Sequence, residues 1–101
     1  MFDAGLNELF DNPKLLEILT PEEWYKWLKD NGYNPQPLGG GNFENVNFYQ
    51  GGGFRVIWGG DKILQYHPAG RNHHGGDAYW KLSSGKTGKL RYDLSGNKTT
   101  K

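Results

Sequence analysis

The 101-residue sequence contains no cysteine, which excludes a disulfide framework and thiolate chemistry. That fits a domain that unfolds to cross an envelope and a cytosolic protein equally well. No apolar run approaches the length of a membrane span, and Met1 is not followed by a basic segment and an apolar one. The chain is therefore expected not to insert into a membrane, and any export signal is expected to lie outside it. Apolar residues are scarce at 35%, while aromatics reach 15%, so the core is expected to rest on a few large rings. Carboxylates are scarce in the second half. Residues 1–50 carry a net charge of −5, whereas residues 51–101 carry +6 with only Asp61, Asp77 and Asp93 as acids. Such a split points to a basic working half and a polyanionic target. The plainer reading is charge scattered on solvated surfaces.

At this length the chain is one domain, 1–101, expected as a monomer. Its sixteen glycines fall in short clusters between apolar runs, as turns do. Residues 1–32 read as helical. Asn12-Pro13 is a cap followed by proline, and Thr20-Pro21-Glu22-Glu23 has the form of a capping box. Trp24, Trp27 and Leu28 form one stripe, and Gly32 is a natural stop. Residues 33–42 read as a loop. Residues 43–94 have period two: strands are expected at 54–58, 62–67, 78–83 and 89–92, with a weaker one in 43–49. Residues 95–101 are expected to be a frayed tail. The fold class is α+β, with N-terminal helices packed on one face of a four- to five-stranded antiparallel sheet.

Alternation assigns the two faces. Phe54, Val56, Trp58, Leu64, Tyr66, Trp80, Leu82, Leu90 and Tyr92 are expected toward the helices. The opposite face receives Arg55, Gln65, His67, Tyr79, Lys81, Ser83, Lys89 and Arg91, a cationic set without a carboxylate.

All three histidines, His67, His73 and His74, lie in the stretch YHPAGRNHHGG. Cleavage of RNA needs a base for the 2′-OH, an acid for the leaving 5′-oxygen and cations around the phosphorane. Histidine suits both proton roles because it titrates near neutral pH. His67 ends a strand on the open face, and His73 or His74 can approach from the glycine-flanked loop. Lys81, Arg71 and Arg91 supply charge, Ser83 and Ser84 supply neutral donors, and Tyr79 offers a ring for a base. Taken individually, the histidines also read as ordinary loop and strand-end polarity.

Other chemistries fit less well. His67, His73, His74 and Asp77 form a conceivable zinc set, but adjacent histidines project differently, and clustered oxygen ligands for magnesium are missing. No metal and no cofactor is expected. SSGKTGK lacks full phosphate-loop spacing and reads as a hairpin turn whose Lys86 and Lys89 touch phosphate nonspecifically. Two noncatalytic readings stay open: an RNA-binding module using the basic aromatic face with Arg55, and a protein-interaction domain using the acidic helices.

A strand ending in YHP, a Gly-rich loop with a histidine before GG, and an aromatic strand running into SSG..GK resemble C-terminal toxin domains of bacterial polymorphic toxin systems. These include Rhs-type and contact-dependent growth inhibition proteins. The likeness spans about Gly52 to Tyr92. It implies a ribonuclease of the barnase–EndoU–colicin–RelE type and falls on His67, His74, Ser83, Ser84, Lys89 and Arg91. His73 stands where a cation is expected, and Arg71-Asn72 lengthens the loop. The resemblance also implies secretion or cell-surface delivery as part of a larger toxin, action in the target-cell cytoplasm and a cognate immunity protein. It does not say whether tRNA, rRNA or another RNA is the target.

Overall fold

Prolines divide the N-terminal third of the chain in the computed structural model, which describes residues 5–38, 46–69 and 77–98. A 3-10 turn, Gly5–Asn7, leads into the four-residue helix α1, Glu8–Asp11. Pro13 then starts a second 3-10 helix, Pro13–Ile18, rather than the α-helix expected there. Asn12 makes no side-chain capping bond, contrary to expectation. Only six residues lie in this helix before the chain extends at Leu19 and Thr20 ahead of Pro21. That is too short to nucleate a stable α-helix, and a residue before proline is driven to extended backbone.

Helix α2, Pro21–Asp30, starts as its sequence requires. Glu23 N donates to Thr20 Oγ1 at 3.1 Å, and Thr20 N donates to Glu23 Oε1 at 2.9 Å. At its end Gly32 takes φ +85°, a left-handed conformation that favours glycine. This lets Tyr33 N donate to Leu28 O at 2.9 Å and closes the last turn.

The sheet has four antiparallel strands in the order β1-β2-β3-β4: β1 Phe54–Trp58, β2 Lys62–His67, β3 Tyr79–Ser84 and β4 Gly88–Tyr92. The fold is α+β, with the helices at the N-terminus. Leu6, Leu9, Leu16, Trp24 and Leu28 from the helical segments form one buried cluster with Phe54, Val56, Leu64, Trp80 and Leu82. Trp24 and Trp80 meet edge to face at 6.2 Å, and the Trp24 indole donates to Leu16 O at 3.0 Å. The large rings thus fill the interior without stranding their polar atoms.

Two loops are more ordered than their composition foretold. Gln36 and Arg55 exchange backbone hydrogen bonds at 2.9 and 2.8 Å, so the segment before residue 39 covers part of the outer edge of β1. Gly53 lies so close to β2 that a Cβ there would sit 2.1 Å from Tyr66 O. The expected strand in 43–49 is corrected where it is described: Phe48–Gln50 is a 3-10 turn, and the Phe48 ring stacks on Tyr25 at 4.7 Å. Packing that ring on α2 wins over strand pairing; residues 43–45 lie outside the described residues. The tail is also corrected. Asp93 Oδ1 accepts from Ser95 N and Asn97 N, each at 2.9 Å, and Lys98 bridges back to Tyr92. Residues 99–101 lie outside the description.

Removing the reciprocal cap by Thr20→Ala is expected to destabilise the domain by about 1 kcal/mol, or roughly 4–8 °C in melting temperature. Thermal unfolding by circular dichroism measures this; an unchanged midpoint would contradict the role assigned to the cap.

Candidate nucleic-acid interface

Strand register places the open-face residues in rows. Arg55 pairs with Gln65, Gln65 with Lys81, and Lys81 with Arg91, so four consecutive strands contribute one line of side chains. With neighbouring strands about 4.8 Å apart, that line extends roughly 14 Å. On one side of it His67 pairs with Tyr79; on the other, Ile63 pairs with Ser83 and Ser83 with Lys89.

Among the described residues, no carboxylate forms an ion pair with Arg55, Lys81, Lys89 or Arg91; the one ion pair there is Lys62–Asp61 at 3.8 Å. Burial pushes the Lys81 amine below the ordinary lysine range, and the charges of Lys89 and Arg91 push it further the same way. The Nε atoms of Arg55 and Arg91 are buried without a hydrogen-bond partner among the described residues. This row holds positive charge and donor capacity that the described residues do not satisfy, a surface suited to an anion.

His67 sits at the end of β2 and is only 6% exposed. Its ring lies parallel to Tyr79, with 4.6 Å between centroids and 2° between planes. Its Nε2 lies within hydrogen-bond distance of Gln65 Oε1, at 2.7 Å. Tyr79 is itself held: burial raises its phenol above the ordinary tyrosine range, while a hydrogen bond and charge from Arg91 pull the other way. His67, Tyr79, Gln65 and Arg91 are therefore one connected group.

The expected site residues separate accordingly. Arg55, His67, Tyr79, Lys81, Ser83, Lys89 and Arg91 share one sheet face by register, but His67 and Tyr79 are buried there. Ser84 does not join them. Alternation turns it away, its hydroxyl bonds Thr87 Oγ1 at 3.0 Å, and Thr87 N donates to it at 3.1 Å. It lines a different cleft of about 540 Å³ with Lys86, Asn7, Phe10 and Asp61, at the turn end of the hairpins. Lys86 is thus also remote from His67, at the opposite end of the strands. Arg71, His73 and His74 lie outside the described residues. Gln65 is the residue whose part was missed, although its position two before His67 already put it on that face.

Among the described residues no three His, Asp or Glu side chains gather into a metal-binding group, and no helix is long and apolar enough to cross a membrane. Comparison with known proteins gives no match: no family model, no curated protein and no solved structure corresponds to this chain.

Lys81 supplies the test of this crowding. Its pKa is lower in the fold than in the unfolded chain, so the penalty is fully present below the folded value and fades as pH rises toward 10.5. Lys81→Met is expected to melt at or above the wild-type temperature at neutral pH and low salt, with that advantage shrinking toward alkaline pH. A variant several degrees less stable at every pH and salt concentration would show that Lys81 contributes packing rather than repulsion.

Proposed function

We propose that this domain is a metal-independent endoribonuclease, the cutting module of a larger bacterial toxin. The observation that carries the reading is the juxtaposition of a positioned imidazole with a row of three cations that have no carboxylate partner among the described residues. A phosphodiester attacked by its own 2′-oxygen passes through a phosphorane with added negative charge, which fixed cations stabilise. His67 takes the 2′-OH proton or delivers one to the departing 5′-oxygen, and His74 performs the complementary transfer. The O2′–P bond forms as the P–O5′ bond breaks, leaving a 2′,3′-cyclic phosphate and a 5′-hydroxyl. Lys81 and Arg91 hold the phosphate, Ser83 adds a neutral donor, and Arg55 and Lys89 extend the contact; Arg71 and His73 are given a substrate-binding role from the sequence alone. Tyr79 is stacked on His67 and only 6% exposed, so in this reading it holds the imidazole, and its expected role as a platform for a base is corrected. In this reading the domain is exported, acts in the cytoplasm of a target cell, and is blocked by an immunity protein covering the same face.

The burial of His67 and the commitment of its Nε2 to Gln65 favour a second reading, a noncatalytic RNA-binding module. The two differ on incubation with total RNA. The nuclease yields discrete fragments with cyclic phosphate ends, at a rate unchanged by EDTA, and His67→Ala lowers that rate at least about a hundredfold. Salt-sensitive retention of intact RNA after long incubation would select the binding module instead. Full activity of His67→Ala would remove this imidazole from the mechanism, and inactivation by EDTA would replace the metal-independent scheme.

A further inference from the structure

We infer that this face takes single-stranded rather than duplex RNA, with the bases laid on an aliphatic shelf made by Ile57 and Ile63; this rests on the reading of the face as an RNA surface. Ile57 on β1 pairs directly with Ile63 on β2. Opposed residues of antiparallel strands stand about 5 Å apart, so the two branched side chains form one patch. Ile57 is 54% exposed, and Ile63 is half-buried. Neither belongs to the buried cluster, although Trp58 and Leu64, the next residues of the same strands, pack into it. Single exposed aliphatics are ordinary on a protein surface. Here two stand opposite each other on a face otherwise lined with cations. Strand propensity does not account for them, since threonine would serve a solvent-facing strand position as well.

Register sets the shelf beside the cations. Ile57 is the second residue after Arg55, and Ile63 the second before Gln65. The shelf therefore runs parallel to the row Arg55, Gln65, Lys81, Arg91, about 7 Å from it. The face thus offers two tracks that cross the strands side by side. One carries cations that form no ion pair among the described residues, and the other begins as hydrocarbon. A single nucleic-acid strand has the same two-track form, with phosphates along one edge and apolar base faces along the other. Bases pack against apolar side chains once they leave a stacked helix. In a duplex those faces are covered by neighbouring bases and both edges carry phosphate. A duplex reaches the cations but leaves the shelf in water, whereas a single strand covers both and gains the apolar burial.

Fluorescence anisotropy against salt concentration tests this on the whole protein, with a 2′-O-methyl RNA presented as a single strand and as a blunt duplex of the same length. Charge alone favours the duplex, whose phosphates are denser. Wild type is nevertheless expected to bind the single strand more tightly. Ile57→Ser is expected to weaken single-strand binding about threefold to tenfold, with its salt slope and the duplex affinity unchanged. Ile57→Tyr, which supplies a ring, is expected to tighten single-strand binding. Arg55→Gln is expected to weaken both forms and to lower the salt slope by about one. Duplex binding as tight as single-strand binding, or a wild-type affinity in Ile57→Ser, would overturn the inference while leaving the face an RNA surface. So would a dimer in sedimentation that Ile57→Ser dissociates, because a second copy would then cover the shelf. If the single strand binds as expected while unmodified RNA stays intact, the shelf stands and the nuclease reading falls. If neither form binds at low salt, the RNA reading of the face falls and takes the inference with it.

Discussion

Pairing across β2 and β3, with Leu64 opposite Leu82, Tyr66 opposite Trp80 and Gln65 opposite Lys81, ties the core to the candidate site. Side chains alternate strictly along a pleated strand, so one register decides both faces together. A shift by one residue would exchange Trp80 and Leu82 for Lys81 and Ser83 in the interior. That exchange would bury an ammonium without a partner and expose an indole, two large penalties of the same sign. Burial of Trp80 between Trp24 and Phe54 therefore holds the cation row in place, although none of those rings touches it from the open side.

The open face is energetically unfavourable on its own. Burial depresses the Lys81 amine first, and the like charges of Lys89 and Arg91 on the adjacent strand depress it further. The Nε atoms of Arg55 and Arg91 add donors without acceptors among the described residues. Proteins tolerate such arrangements where function requires them and offset them elsewhere. Here the offset comes from the aromatic cluster, the capped helix α2 and the backbone bridge from Gln36 that closes part of the β1 edge.

Much of this was legible in the chain because the signals were local and periodic. Alternation through FRVIW and KILQYH defined β1 and β2 with their observed ends, and Gly59-Gly60-Asp61 marked the turn between them. Thr20 to Glu23 announced the start of α2. Long-range packing was not legible. Nothing near Phe48 signals that its ring would stack on Tyr25, so strand-like composition misled. The turn after Asp93 depends on a side chain accepting from two backbone amides, and composition alone read it as a tail. At the site, parity identified the members of the open face, but Ser84 was drawn in by its neighbour Ser83. One step along a strand reverses direction, and the hydroxyl of Ser84 belongs to the hairpin turn. Gln65 falls on the right face by parity, but its contact with His67 is one that spacing allows without requiring.

The central claim is that RNA meets this domain on the face of β1–β4 opposite the helices. The most direct test titrates the protein with a short RNA carrying 2′-O-methyl groups, which binds without being cut, while amide and histidine-ring resonances are followed by NMR. The account predicts that the largest shifts fall on Arg55, Gln65, His67, Tyr79, Lys81 and Arg91 and that added salt reverses them. Shifts centred on the acidic surface of α2, or none at low ionic strength, would contradict it.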